Sequence, residues 1–133
     1  MDTFSAALID DDFFTRNMFE LILAHHNVPV VTFPCPFSAA EYLQTKCPDV
    51  IVLDLFLEGV SGYDVLLGFR KQAPSARIVA TTAYHFVGTS TEALLRGFDG
   101  YIPKPLSAEH LIGALSYIAG RGVAGKLKGD SIV

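Results

Sequence analysis

The chain has 133 residues, 10 basic and 14 acidic side chains, a net charge of −4, and half of its residues are apolar. That length favours one compact domain whose core needs neither a disulfide nor a metal, and the apolar share excludes disorder. The acidic balance argues against a nucleic-acid or anionic-membrane surface as the main business of the domain.

In chain order, Phe4 to Ile9 is a short apolar run ending in Asp10-Asp11-Asp12. Phe14, Met18, Leu21 and Ile22 then recur at helical spacing. Val28 to Phe33 is β-branched and predicts a strand. Ser38, with Glu41 three residues on, predicts the capped start of a helix to about Lys46. Asp49 to Leu55 is an apolar strand interrupted by Asp54, and Gly59 to Gly62 is a turn. Val65, Leu66 and Phe69 share one face of the helix that follows, which ends before Pro74.

Arg77 to Thr82 is the next strand. Thr89 or Ser90 caps a short helix through Arg96, closed by Gly97. Gly100 to Ile102 is a brief strand stopped by Pro103 and Pro105. Ser107 caps the last helix, whose buried face is Leu111, Ile112, Leu115 and Ile118. Five strands alternating with five helices predict an α/β fold, a doubly wound parallel sheet with helices on both faces. Residues 1–120 form the domain, and 121–133, rich in glycine and basic residues, are a flexible tail or linker stub.

The two cysteines, Cys35 and Cys47, have no metal or redox spacing and fit a reducing cytosol. The polar opening (Asp2, Thr3, Ser5) does not read as a signal peptide, and no apolar run approaches the ~20 residues that cross a bilayer. The expected location is cytoplasmic, with no membrane insertion.

The polar exceptions in this apolar pattern fall at strand ends: Asp10, Asp11 and Asp12 after the first strand, Asp54 after the third, Thr82 at the end of the fourth, Lys104 past the fifth. Open parallel sheets bind ligands outside the carboxyl ends of their strands, so these residues share one pocket. Clustered carboxylates repel unless a cation joins them, and carboxylate oxygens suit a hard ion such as Mg²⁺. Lys104 can neutralise an anion at Asp54, Thr82 offers a hydroxyl, and Asp54 is a competent nucleophile toward phosphorus.

Four stretches carry a resemblance to a known family: Leu8-Ile9-Asp10-Asp11-Asp12, Asp49-Val50-Ile51-Val52-Leu53-Asp54-Leu55, Val79-Ala80-Thr81-Thr82-Ala83 and Gly100-Tyr101-Ile102-Pro103-Lys104-Pro105. In order and separation they resemble the receiver domain of two-component response regulators, the family that includes the chemotaxis regulator, over about Phe4 to Ala119. The resemblance implies the flavodoxin-like strand order 2-1-3-4-5. It implies phosphorylation of Asp54 by a sensor histidine kinase or phosphotransfer protein, and Mg²⁺ held by Asp10, Asp11, Asp54 and the backbone carbonyl of Phe56. It also implies Lys104 on the phosphoryl oxygens, Thr82 and Tyr101 as switch residues, and a cis Lys104–Pro105 bond. The switch would reshape the face of the fourth helix, fifth strand and fifth helix for a downstream protein or output domain. Pairing of two copies through that face stays open, and the domain would act as no enzyme beyond its own phosphoryl chemistry.

Three positions depart from the family pattern. Glu58 and Phe13 stand where proline is common, and Phe56 is bulky beside the phosphoacceptor, which implies slower self-hydrolysis. Three other readings stand beside this one. A pseudo-receiver would keep the fold as a phosphorylation-independent interaction module. An aspartate-nucleophile phosphatase would need a second carboxylate where Phe56 stands. A flavodoxin-like nucleotide binder would need glycines or hydroxyls where the three aspartates stand. His25, His26, His85 and His110 lack ligand spacing and read as surface or helix-end residues. The phenylalanines read mostly as core, and Tyr84-His85-Phe86 as an exposed loop with the makings of a partner patch.

Overall fold

The computed structural model describes residues 4–105 and 107–121. The tail expected from residue 121 lies, from residue 122 onward, outside the described residues. The elements run β1 (Ala6–Ile9), α1 (Phe13–His25), β2 (Val30–Phe33), α2 (Pro36–Leu43), β3 (Val50–Asp54), β4 (Phe56–Leu57), β5 (Val60–Ser61), α3 (Gly62–Gln72), β6 (Arg77–Thr82), α4 (Thr89–Leu95), β7 (Gly100–Pro103) and α5 (Ala108–Ser116). Past α5 the chain makes a π-helical turn over Tyr117–Arg121, in which Gly120 takes a left-handed φ of 92°.

Five strands form one parallel sheet in the order β2-β1-β3-β6-β7. Counting sheet strands alone, this is 2-1-3-4-5, as expected. The alternation along β3 explains the double covering. Val50 and Val52 pack with Phe19, Leu23, Leu111 and Leu115 of α1 and α5 on one face. Ile51 and Leu53 pack with Ala39, Leu43, Leu66, Phe69 and Ala93 of α2, α3 and α4 on the other. Each such side chain taken from water contributes about 2 kcal/mol before chain entropy is charged against it.

Several local expectations need correction. The stretch read as a turn at Gly59 to Gly62 is the antiparallel hairpin β4–β5, pairing Phe56 with Ser61 and Leu57 with Val60. Gly59 takes the left-handed φ of 81° that its tight loop demands. Ser38 lies inside α2 and donates back to the Cys35 carbonyl, while Cys35 is the N-cap and Pro36 opens the helix. The N-cap of α4 is Gly88, not Thr89 or Ser90. The strand β2 starts at Val30, two residues after Val28.

Of the stripe Phe14, Met18, Leu21 and Ile22, only Ile22 is buried; the first three face outward, and Phe19 and Leu23 complete the buried face of α1. Nor are the phenylalanines mostly core: Phe13, Phe14, Phe37, Phe56 and Phe86 are exposed. All five follow the end of a sheet strand within five residues, so exposed aromatic surface gathers at the carboxyl end of the sheet.

Candidate functional site

Strand register alone brings the acidic residues together. Ile9 pairs with Leu53, so Asp10 and Asp54, each one residue further on, lie side by side at the sheet edge. Thr82 pairs with Pro103, and the Lys104 N–H donates to the Thr82 carbonyl at 3.1 Å, so Lys104 leaves the sheet beside them. The Lys104–Pro105 bond is cis.

The side chains close the arrangement. The Lys104 ammonium lies 2.7 Å from Asp10 Oδ2 and 3.2 Å from Asp54 Oδ2. Asp10 is fully buried; its Oδ1 accepts the Asp12 N–H at 2.9 Å. Asp54 is 4 % exposed, and its Oδ1 accepts the Phe56 N–H at 3.0 Å. Asp11 is exposed and accepts the Glu58 N–H at 2.8 Å, which ties the loop after β1 to the hairpin. One oxygen each from Asp10, Asp11 and Asp54 lies within 4.8 Å of the others. Asp12 stands apart from this group: it caps α1, accepting from the N–H and hydroxyl of Thr15.

Burial pushes the Asp54 carboxyl above its ordinary value, opposed by the Phe56 N–H and the Lys104 charge. Burial would by itself lower Lys104, but the carboxylates of Asp10 and Asp54 outweigh it and hold the ammonium above its ordinary value. The pocket therefore keeps Lys104 charged.

The donor set fits a hard divalent cation. Three carboxylates face one ammonium. Asp10 Oδ2, wholly buried, has the Lys104 ammonium at 2.7 Å as its one partner among the described residues, and that single cation is shared with Asp54. A buried carboxylate oxygen so placed is costly unless further positive charge reaches it. All the side-chain donors are oxygens, the preference of Mg²⁺.

Of the other expected residues, Thr82 is fully buried and its Oγ1 accepts the Tyr84 N–H at 3.0 Å. Tyr101 is buried, and its hydroxyl meets His85 Nδ1 at 2.8 Å. Phe56 opens the hairpin with its ring exposed and edge-on to Tyr84, centroids 5.4 Å apart. Tyr84, His85 and Phe86 are all exposed, as expected of that loop, and His85 in addition reaches the Tyr101 hydroxyl.

Two structural supports of the pocket escaped sequence reading. Ser61 and Asp64 form a reciprocal capping box at the start of α3, a signature present in Ser61-x-x-Asp64 but obscured by treating the segment as a turn. Gly62 lies directly under Asp54: a Cβ there would sit 2.7 Å from the Asp54 carbonyl oxygen. Sequence carries no signal for that contact.

A doubly wound parallel sheet with three carboxylates and a lysine at its carboxyl edge defines an α/β domain with an acidic, lysine-bearing pocket at its strand ends. The sequence model of the response regulator receiver domain matches residues 6–116, and the chain belongs to that family. It is 34% identical over 104 residues to the alginate biosynthesis transcriptional regulatory protein AlgB of Pseudomonas putida, a match covering 78% of this chain and 23% of that protein. It is 27% identical over 105 residues to the DNA-binding transcriptional regulator NtrC of Escherichia coli, covering 79% of this chain and 22% of that protein. The chain thus spans about a quarter of the length of these relatives.

Among solved structures, it is similar to a response regulator from Burkholderia pseudomallei with a phosphorylated aspartic acid, calcium ion and citrate. There the TM-score is 0.77 at 25% identity, over 90% of this chain and 69% of that one. The BeF3-activated DrrB receiver domain matches with a TM-score of 0.78 over 90% of this chain and all of that one, at 22% identity, a likeness of fold alone. No helix among the described residues is long and apolar enough to cross a membrane.

Proposed function

We propose that the chain is a phosphorylation-dependent signalling switch in which Asp54 accepts a phosphoryl group from a histidine kinase or phosphotransfer protein. The observation that carries this reading is the Lys104 ammonium held between Asp10 and Asp54, 2.7 and 3.2 Å away, beside a third carboxylate. In the step itself, an Asp54 carboxylate oxygen forms a bond to phosphorus as the donor's P–N bond breaks. The electron pair leaves with the donor nitrogen, which takes up a proton. Little covalent chemistry is asked of the protein, so positioning and charge neutralisation do most of the work.

Asp10, Asp11, Asp54 and the Phe56 backbone carbonyl would hold Mg²⁺. Bound there, the ion neutralises the carboxylates and the incoming phosphoryl oxygens. Lys104, kept charged by its neighbours, grips a phosphoryl oxygen. The Thr82 hydroxyl accepts from Tyr84 and keeps its own hydrogen to donate to the phosphoryl group. Tyr101, buried on β7, couples that movement to the face formed by α4, β7 and α5, where Leu95 is exposed. A downstream protein or output domain would read this face, with residues 1–120 as the receiver and residues 121–133 as a tail or linker stub. The phosphorylated aspartate of the Burkholderia neighbour supports the same chemistry here. The setting we assign is the cytoplasm, where such kinases present their phosphohistidine. The domain acts on no substrate but its own aspartyl phosphate.

Intact-protein mass after exposure to acetyl phosphate and Mg²⁺ tests this. One added phosphoryl group that requires Mg²⁺ and disappears in Asp54→Asn supports it. No adduct, with no beryllofluoride binding, overturns it in favour of an interaction module that is not phosphorylated.

A further inference from the structure

Tyr101 lies in β7 on the face of the sheet covered by α2, α3 and α4, and is 1% exposed. A buried phenol needs a partner for its hydroxyl. That partner is a side chain from another segment: His85 Nδ1 lies 2.8 Å from the phenol oxygen. The two rings also stack, with centroids 5.5 Å apart and planes 23° from parallel. His85 is itself exposed and sits between β6 and α4.

The loop that carries His85 is fastened on both sides. The Tyr84 N–H donates to Thr82 Oγ1 at 3.0 Å, and the Phe86 N–H donates to Thr89 Oγ1 at 2.9 Å. A movement of the Thr82 hydroxyl must therefore be felt at Tyr84, and through the next residue at Tyr101.

We infer that His85 is a positioning residue that latches Tyr101 in its buried orientation before any phosphoryl group arrives, and links that orientation to Thr82. What the latch is for rests on the switch proposed above; the latch itself does not. Without His85, the inward orientation buries an unpaired hydroxyl and loses a stacked ring. A hydrogen bond and a stacked pair together shift the inward-to-outward ratio roughly tenfold. A chain so latched starts with its switch tyrosine already inward, and its affinity for a phosphoryl analogue is not discounted by a minor inward population.

The test uses the full chain labelled with 3-fluorotyrosine, the Tyr101 resonance being assigned with Tyr101→Phe. Protection of that resonance from a soluble paramagnetic quencher is read without and with Mg²⁺ and beryllofluoride. The expected result is a protected Tyr101 in the unliganded wild type and an exposed one in His85→Ala. His85→Gln, which keeps a hydrogen-bonding group, should be protected more than His85→Phe, which keeps only the ring. Beryllofluoride should restore protection in His85→Ala, with weaker binding than wild type by no more than the loss of inward population. A wild-type Tyr101 open to the quencher, or unchanged protection in His85→Ala, overturns the latch. Should His85→Ala unfold, equal protection in His85→Gln and His85→Phe overturns it. Exposure of Tyr101 in His85→Ala, with no beryllofluoride binding by either protein, supports the latch and sinks the phosphoacceptor reading instead.

Discussion

The Lys104 ammonium lies closer to Asp10 than to Asp54, 2.7 Å against 3.2 Å. The lysine is thus the counter-charge of the fully buried Asp10 as much as a ligand waiting at Asp54. Lys104→Ala leaves two buried carboxylates without a cation. Breaking a buried pair in this way costs on the order of 3 kcal/mol. Urea unfolding without divalent ions should show that loss, and saturating Mg²⁺ should recover much of it. An equal loss with and without Mg²⁺ would mean that the ion does not reach these carboxylates.

The repulsion among the three carboxylates predicts a gain for the opposite change. Asp11 is the exposed member, and an asparagine oxygen can still accept the Glu58 N–H. Asp11→Asn should stabilise the ion-free protein by about 1 kcal/mol, the scale of two charges ~5 Å apart when screened as in bulk water, since Asp11 is exposed. Thermal unfolding with added Mg²⁺ should then favour the wild type, because the variant has lost a ligand. A variant less stable than wild type without ions contradicts the repulsion argument.

Gly62 has a steric role. An added Cβ would meet the Asp54 carbonyl oxygen at 2.7 Å and the Leu55 Cα at 3.0 Å, both backbone atoms that cannot step aside cheaply. Gly62→Ala should cost about 1–3 kcal/mol, the usual range for overpacking, and slow Asp54 phosphorylation by shifting the end of β3. Denaturant midpoints and the acetyl phosphate mass shift measure the two effects separately, and a wild-type value for both would show that the α3 start yields without consequence.

Asp12 tests the boundary of the site. Asp12→Ala removes the cap of α1 at a cost of about 1 kcal/mol. The hydroxyl and N–H of Thr15 hold the Asp12 carboxyl below its ordinary value of 3.8, so the ionised form is the stabilising one. Its contribution is complete above the unfolded-state value and disappears as pH falls through the lower folded one. Unfolding free energies of wild type and variant should converge as pH falls through that window. A gap independent of pH would mean that the charge plays no part in the cap.

Phe56 packs its exposed ring against Tyr84 beside Asp54. Phe56→Ala should shorten the aspartyl phosphate lifetime several-fold by admitting water, with stability changed by less than about 0.5 kcal/mol, as for an exposed site. Decay of the phosphorylated mass after donor removal gives the lifetime. An unchanged rate would show that the ring shields nothing.

The amino-acid sequence by itself determined the sheet, its order of elements and the strand ends that meet at the pocket, but not that Asp12 leaves it to cap α1. The reason is geometric: in a parallel sheet every strand ends at the same edge, so Asp10, Asp54, Thr82 and Lys104 converge once their strands are recognised. Strand alternation in Val50–Asp54 likewise fixed a sheet covered on both faces. Tertiary structure alone decided which carboxylate holds Lys104, that Gly62 must admit the Asp54 carbonyl, and that His85 satisfies Tyr101. It also turned Phe14, Met18 and Leu21 outward, because periodicity marks a stripe on a helix without saying which side the sheet lies on. These features depend on distances between side chains remote in sequence, and packing sets those distances to fractions of an ångström that no local pattern encodes.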